Sequence, residues 1–453
     1  MRKYFGTDGI RRIANTELSP ELVYKVAKAG ACVLSKHTEH TPTILIGRDT
    51  RRSGSLIESA MLSGFLSYGA NVKLLGVMPT PAVAYLTRKL KADASVVISA
   101  SHNTYEFNGI KYFSNKGTKI PDEIEEEIEE LMDSDKLNSY SAVNEKIGIS
   151  EYRADLMDEY VYFFRKTFDD VFENLDKENF IVGIDAANGA TYRVAERVFK
   201  TLGIKYKIIN NRPNGININE NCGSTHLENL IKLVKNNNLS LGVAYDGDGD
   251  RCLAVDEEGN LLDGDKLLAI ISHNMKKQGK LKNSTLVATV MSNLGLNKFT
   301  KENDIDLIQT KVGDRYVLEE MIKGDFNLGG EQSGHVILSD YNPTGDGILT
   351  SIMLIKTILE ENKKASEVAN IVKMYPQVLV NAKVCDEKKY EYNKNEKIRL
   401  AIEKLEEEFA GNGRVLIRAS GTEPLVRVMI EGENQEYITK KANEIAELII
   451  QES

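Results

Sequence analysis

Phe180-Ile181-Val182-Gly183-Ile184-Asp185-Ala186-Ala187-Asn188-Gly189-Ala190 decides how the rest of the chain is read. A short apolar run ends in a carboxylate, breaks into a small polar turn with a glycine, and leads into a helical pattern. The same succession stands at 44–54, where Ile44-Leu45-Ile46 runs into Gly47-Arg48-Asp49-Thr50-Arg51-Arg52-Ser53-Gly54. It stands again at 285–295, where the strand Leu286 to Val290 ends in Met291-Ser292-Asn293-Leu294-Gly295. Strands alternating with helices predict three related α/β units with mixed, mostly parallel sheets. The units are alike in pattern more than in identity.

The neighbouring segments fill in these units. Ser19-Pro20-Glu21 opens a helix, with an N-cap serine, proline at the first helical position and an acid in the first turn. Val72 to Leu75 and Ser95 to Ser99 read as strands, and after Pro121 a helix places Ile124, Ile128, Leu131 and Met132 on one face. Leu241 to Tyr245 is a strand, and Lys266 to Met275 a helix. From about 370 the rhythm changes: a strand at Val378 to Val384, a long charged helix from Glu387 to Glu408, strands at Arg414 to Arg418 and Leu425 to Ile430, and a closing helix from Asn434 to Ile450. The expectation is three α/β domains at 1–150, 151–256 and 257–369, and an α+β domain at 370–453.

Length agrees, since 453 residues exceed what one core of roughly 100–200 residues holds. The charge, 58 basic against 67 acidic residues or −9, does not invite nucleic acid over the whole surface. No run approaches about 18 apolar residues, and Met1-Arg2-Lys3-Tyr4-Phe5-Gly6 lacks a signal peptide's apolar core. Cys32, Cys222, Cys252 and Cys385 lie far apart without paired spacing, which argues against zinc and a disulfide framework and fits a reducing cytoplasm.

Four stretches carry chemistry. In Ala94-Ser95-Val96-Val97-Ile98-Ser99-Ala100-Ser101-His102-Asn103 a buried strand gives way to a polar turn, and strand ends are where ligands bind in an open α/β sheet. Ser101 is the candidate carrier of a phosphoryl group. In Asp246-Gly247-Asp248-Gly249-Asp250-Arg251 three carboxylates alternate with glycines after a strand, a compact oxygen set suited to Mg²⁺, with Arg251 placed to hold a shared anion. Glu257 falls at the twelfth position of an EF-hand loop, but Arg251 takes the sixth and strands flank the loop, which argues against an EF-hand. Gly329-Gly330-Glu331-Gln332-Ser333-Gly334-His335 offers Glu331, Ser333 and His335 to sugar hydroxyls, with Lys311 and Arg315 just upstream. Arg418-Ala419-Ser420-Gly421-Thr422-Glu423-Pro424, with Arg427, can hold a phosphate and is no P-loop. Taken singly, the first, third and fourth read also as ordinary polar turns, whereas the second, whose glycines leave little other use for the loop, favours a metal site over a solvated acidic turn; together they make a phosphoryl-transfer apparatus.

Over essentially its whole length the chain resembles the α-D-phosphohexomutase superfamily, on Ser99-Ala100-Ser101-His102-Asn103, the Asp246–Arg251 run, Gly330–His335 and Arg418–Pro424, in family order. Phe5-Gly6-Thr7-Asp8-Gly9-Ile10-Arg11, Gly215-Ile216-Asn217-Ile218-Asn219 with Cys222-Gly223-Ser224-Thr225, and Gln332 point to the bacterial aminosugar-phosphate branch. The resemblance implies a four-domain, heart-shaped fold around a central cleft. It implies that Ser101 is a phosphoserine whose oxygen joins Asp246, Asp248 and Asp250 around one Mg²⁺ per subunit, and that Arg251 contacts it. Glu331 and Ser333 would read sugar hydroxyls; Arg418, Ser420, Gly421, Thr422 and Arg427 would grip the non-reacting phosphate. Lys111 and Arg11 match positions linked to acid–base help, with His102 and His335 close by.

The implied activity is interconversion of glucosamine 6-phosphate and glucosamine 1-phosphate, feeding UDP-N-acetylglucosamine and cell-wall synthesis, with glucosamine 1,6-bisphosphate or a similar compound as activator. The implied setting is a cytoplasmic monomer or homodimer without nucleic-acid or membrane partners. The alternatives are the same chemistry on glucose or mannose phosphates, a non-catalytic phosphosugar-binding protein, and a phosphatase. Thr104 stands where the family commonly has proline, and Tyr105-Glu106-Phe107 where an acid commonly precedes Asn-Gly-Ile-Lys; both bear on the stiffness of the serine loop. Arg12 replaces a usual glycine.

Overall fold

The computed structural model describes residues 3–6, 8–385, 389–419 and 424–452. They fall into two compact units, one of residues 1–290 with 306–370, the other of 291–305 with 371–453.

The first unit holds three sheets. In chain order the first sheet's strands are β1 (Ile10–Ile13), β2 (Thr43–Arg48), β3 (Asn71–Val77), β4 (Ala94–Ile98), β5 (Phe107–Ser114) and β6 (Ser150–Tyr152), arranged β1-β5-β4-β2-β3-β6. The second contains β7 (Ile181–Asp185), β8 (Lys205–Ile209), β9 (Leu241–Tyr245), β10 (Cys252–Asp256) and β11 (Leu261–Leu262), arranged β11-β10-β9-β7-β8. The third contains β12 (Thr285–Thr289), β13 (Asp306–Thr310), β14 (Leu328–Gly330) and β15 (Val336–Leu338), arranged β13-β12-β14-β15. Each has a parallel centre, β4-β2-β3, β9-β7-β8 or β13-β12-β14, with antiparallel strands added at one edge, so all three are mixed; the first and third are mostly parallel and the second is evenly divided. The sheets run to Tyr152 and Leu262, slightly past the expected domain limits at 150 and 256.

Every residue of β4, β9 and β12 is buried, as parallel strands covered on both faces require. The first core gathers Ile44, Ile46, Val96 and Ile98 from the sheet with Val23, Val26, Ile57, Phe65 and Ile128 from helices. The helix Pro20–Leu34 starts at Ser19, whose side chain accepts the Leu22 N–H as its cap. The helix Asp122–Met132 buries Ile128 and Met132 as its periodicity predicts, but also Glu129. That carboxylate accepts the backbone N–H groups of Lys3, Tyr4 and Phe5 at 2.6–2.7 Å, anchoring the segment that leads to Asp8 and Arg11.

The second unit is an antiparallel sheet of β16 (Gln377–Lys383), β17 (Gly413–Ala419) and β18 (Leu425–Gly432), ordered β16-β18-β17, against helices Glu396–Phe409 and Gln435–Glu452. Val426, Val428, Ile430, Ile438, Ile445 and Ile449 form its core. The charged helix is shorter than Glu387 to Glu408. It begins at Glu396 because Asn395 caps it, accepting from the N–H groups of Lys397 and Ile398, while 389–394 turn beforehand. Glu387 itself lies outside the described residues.

No described helix is long and apolar enough to cross a membrane. All four cysteines are free thiols. Arg12, on β1, donates to the Lys3 carbonyl at 2.9 Å and lies over the Tyr4 ring, a local surface role.

Candidate active site

Three loops of the first unit leave the carboxyl ends of strands in the parallel parts of their sheets: 99–106 after β4, 246–251 after β9 and 331–335 after β14. Backbone bonds hold the second loop in place and join its end to the third. The Thr80 N–H donates to the Asp248 carbonyl (2.9 Å), the Cys252 N–H to that of Gly334 (3.0 Å), and the Gly347 N–H to that of Gly249 (3.0 Å).

Ser101 is buried, with φ of 51°, in the left-handed region that few non-glycine residues occupy. Its Oγ donates to Asp246 Oδ2 at 2.7 Å. The turn behind it is built by a buried ion pair. Arg51 Nε donates to Asp49 Oδ2 at 2.8 Å, and Ser99 Oγ donates to the same oxygen at 2.6 Å while accepting the Ser101 N–H at 3.0 Å. The remaining guanidinium donors of Arg51 go to the carbonyls of Ser101 (3.0 Å), Asn103 (2.8 Å), Phe107 (3.0 Å) and Thr104. All five N–H groups of Arg51 are therefore used, and the guanidinium braces the turn that carries Ser101.

Asp246, Asp248 and Asp250 are buried, and each offers an oxygen within 4.8 Å of the others. Asp248 Oδ1 and Asp250 Oδ1 have no hydrogen-bond partner. Buried carboxylate oxygens without donors are costly, and three converging on one point form the hard-oxygen set that Mg²⁺ takes. Burial, with the Asp250 and Asp248 charges, pushes the Asp246 carboxyl well above its usual range. Burial acts on Asp250 in the same sense, but the Lys111 charge, a hydrogen bond from His335 and the Arg251 charge outweigh it and hold that group low.

Lys111 is buried on β5, its ammonium 3.0 Å from Asp248 Oδ2, 3.2 Å from Asp8 Oδ2 and 3.6 Å from Asp250 Oδ2. Burial alone would lower it; Asp248, Asp8 and Asp250 more than reverse this, so Lys111 is held as a cation. Arg11 reaches Asp8 Oδ2 (2.7 Å) and Asn103 Oδ1 (3.0 Å). His102 Nδ1 lies 3.4 Å from both Ser101 Oγ and Arg251 Nη1. A guanidinium only donates, so Nδ1 is the acceptor; burial, with the Arg251 and Arg11 charges, lowers His102 to about 4. The Arg251 N–H donates to Asp246 Oδ1 at 3.1 Å.

His335 is buried, with Nδ1 3.6 Å from Asp250 Oδ2 and Nε2 accepting the Gly345 N–H at 3.0 Å. Glu331 accepts the Gly313 N–H at 3.1 Å, and burial raises its carboxyl. Ser333 lies exposed on the adjoining turn. Lys311 is exposed, its ammonium over the Tyr316 ring. In the second unit Arg418 on β17 stands directly opposite Arg427 on β18. Burial and the Arg427 charge lower the Arg418 guanidinium. Ser420, Gly421 and Thr422 lie outside the described residues.

The first-unit candidates Ser101, His102, Arg11, Lys111, Arg251, His335 and the three aspartates thus share one contact network. Sequence reasoning missed the supporting groups. Asp8 and Asp314 sandwich Lys119 (2.6 Å to Asp314), Thr80 Oγ1 donates to Asp248 Oδ2 at 2.6 Å, and Asp49 and Arg51 hold the serine loop. Asp49 and Arg51 do sit on a strand-end turn of the repeated pattern, which is the signal that could have found them.

Four family descriptions match in succession: "Phosphoglucomutase/phosphomannomutase, alpha/beta/alpha domain I" at 2–139, domain II at 158–259, domain III at 263–375, and the C-terminal domain at 379–448. The chain belongs to this phosphoglucomutase/phosphomannomutase family and has its four-domain composition, three α/β domains and a smaller C-terminal one. Within the family it is similar end to end to curated phosphoglucosamine mutases. That of Ruminiclostridium cellulolyticum is 50% identical over 449 residues, and that of Clostridium botulinum (strain Kyoto / Type A2) 52% over 450, each alignment covering 99% of both chains. Among solved structures, a phosphoglucomutase/phosphomannomutase family protein from Burkholderia thailandensis aligns with a TM-score of 0.80 at 20% identity, covering 98% of this chain and 97% of that one. Aspergillus fumigatus N-acetylphosphoglucosamine mutase, in complex with GlcNAc-6P and magnesium, aligns at 0.68 and 16% identity, covering 100% and 96%.

Proposed function

We propose that the protein interconverts glucosamine 6-phosphate and glucosamine 1-phosphate through a phosphorylated Ser101. The carrying observation is the hydroxyl of Ser101 2.7 Å from a carboxylate of a buried aspartate triad. Full-length similarity to phosphoglucosamine mutases at 50–52% identity supports the aminosugar substrate over glucose or mannose phosphates.

In the first transfer the bond between phosphorus and Ser101 Oγ breaks as one forms to the sugar O1, whose proton leaves to a nearby base while Ser101 Oγ takes up a proton. The 1,6-bisphosphate turns over, the phosphorus–O6 bond breaks with O6 taking up a proton, and Ser101 Oγ gives up its proton as it takes the phosphoryl group back. Asp246, Asp248, Asp250 and a phosphoserine oxygen would hold one Mg²⁺ per subunit, which neutralises charge on the transferring group. Arg251 and Lys111 add fixed positive charge beside it. His102 is neutral above about pH 4 and keeps an acceptor nitrogen 3.4 Å from Ser101 Oγ, whereas Lys111 is held protonated. Glu331, Ser333, His335 and Lys311 meet the sugar and its phosphate. Arg418, Arg427, Ser420, Gly421 and Thr422 grip the phosphate that is not reacting. Arg418 and Arg427 meet directly across the ladder, and the Arg427 charge weighs on the Arg418 guanidinium; both are cations able to hold a phosphate, which supports that role.

The enzyme works in the cytoplasm as a monomer or homodimer and needs a trace of sugar bisphosphate to charge Ser101. The test is Ser101→Ala together with rates on the 6-phosphates of glucosamine, glucose and mannose. Turnover should vanish in the variant while substrate binding persists, and glucosamine 6-phosphate should be the fastest wild-type substrate. Near-normal activity of Ser101→Ala refutes the mechanism; preference for another sugar refutes the substrate.

A further inference from the structure

The run Gly215-Ile216-Asn217-Ile218-Asn219 belongs to the second sheet's domain but reaches the base of the serine loop. The Gly215 carbonyl accepts the Arg52 N–H at 2.8 Å, and Ile218 is buried. Asn219, 4% exposed and with φ of 58°, donates its own N–H to the Ala187 carbonyl at 2.9 Å. Its Nδ2 donates to the carbonyls of Ser101 and Asn103, at 2.9 Å each. Those are the two oxygens that Arg51 Nη2 holds at 3.0 and 2.8 Å. Both lone pairs of both carbonyls are thereby filled, one by a residue of the serine's own domain and one by a residue of the metal loop's domain. Gly247, between the first two aspartates, makes room: a Cβ there would stand 2.5 Å from the Ser101 carbonyl oxygen and 2.8 Å from Asn219 Nδ2.

Ser101 and Asp246 stand on different sheets, so the distance from Oγ to the carboxylates depends on how the two domains are joined at this point. The serine must also gain and lose a charged group without shifting, while its backbone occupies a conformation that only its surroundings maintain. We propose that Asn219 is a positioning residue for phosphoryl transfer, its amide pinning the serine loop of the first domain to the domain that carries the aspartate triad. The role rests on the mutase mechanism proposed above. It gives the Gly215–Asn219 run a task apart from contact with substrate, since Asn219 acts through the peptide of Ser101.

Two variants separate positioning from folding. Asn219→Asp keeps size and tolerance of positive φ but turns an oxygen toward the two carbonyls; Asn219→Gly keeps the φ and removes the donors. Misplacing a reacting group by about 1 Å costs on the order of 100-fold, so kcat should fall roughly 10- to 100-fold in both variants with KM near the wild-type value. Amide exchange in 99–107 should quicken while that in β7 and β9 stays at the wild-type rate. Unchanged kcat, or a loss of kcat matched by a loss of folded protein and faster exchange throughout, overturns the assignment. If wild-type phosphoprotein fails to hand its phosphoryl group to the sugar, the mutase reading falls, and the exchange measurement still decides the pin: unchanged exchange in 99–107 of both variants refutes it.

Discussion

Replacing Lys111 by methionine tests the charge balance on which the site rests. The ammonium sits 3.0, 3.2 and 3.6 Å from carboxylates of Asp248, Asp8 and Asp250, and its side chain is 2% exposed. At an effective dielectric of about 20, a unit pair at these separations attracts by roughly 5 kcal/mol, and desolvation of the ammonium takes back much of the total. Removing one partner of a buried charge cluster typically costs about 3–5 kcal/mol, because the remaining charges are stranded. Asp8 keeps Arg11 and Lys119, so the loss falls on Asp248 and Asp250, whose Oδ1 atoms already have no donor. At about 1–2 °C per kcal/mol for a unit of this size, Lys111→Met should lower the apparent Tm of the first unit by roughly 3–10 °C without metal. Mg²⁺ should then restore more stability to the variant than it adds to wild type, since the carboxylates have lost a competing cation. Tightening by roughly tenfold corresponds to about 1.4 kcal/mol. Differential scanning calorimetry with chelator and with a Mg²⁺ titration reads both quantities. A variant as stable as wild type in chelator, or one that gains no more than wild type from Mg²⁺, would refute the reasoning.

Arg418→Gln should raise KM for the sugar phosphates and slightly stabilise the second unit in phosphate-free buffer, because it removes a like-charge cross-strand pair; steady-state kinetics and thermal melts check both effects. Gly247→Ala should lower activity by displacing the Ser101 carbonyl or Asn219, and a normal rate would show that the tight approach is not needed. Unfolded His102 takes up a proton below about pH 6.5, whereas the folded group does so only below about 4. Between those values the unfolded chain binds more protons, so stability should fall on acidification through this window, by about 1–2 kcal/mol after allowance for partial exposure. The stability of wild type relative to His102→Gln should therefore fall from pH 7 to about 4, and parallel curves would contradict the low His102 value.

Much of this was legible in the residues. Ile44–Ile46, Ile181–Ile184 and Leu286–Ala288 announce buried strands because parallel strands are apolar on both faces. The Asp246–Asp250 run announced a cation site because alternating glycines leave its carboxylates little else to do. Asp8, Thr80 and Asn219 were invisible as a group, since they lie on separate turns and meet only when the sheets pack. Arg51 looked like one of several basic residues at 48–52; its five donors acquire partners only when the serine loop folds over it. The helix start at Glu396 was missed because charge continues through 387–408, and it was the asparagine before it that mattered. The cross-strand meeting of Arg418 and Arg427 needed the hairpin register, which the residue spacing does not fix.

The most direct test of the central claim follows the phosphoryl group. Protein charged on Ser101 and mixed with glucosamine 6-phosphate in Mg²⁺ should lose its phosphoserine by intact mass, while an equal amount of glucosamine 1,6-bisphosphate forms. Phosphate appearing in solvent instead, or a serine that keeps its phosphoryl group when substrate is added, would contradict it.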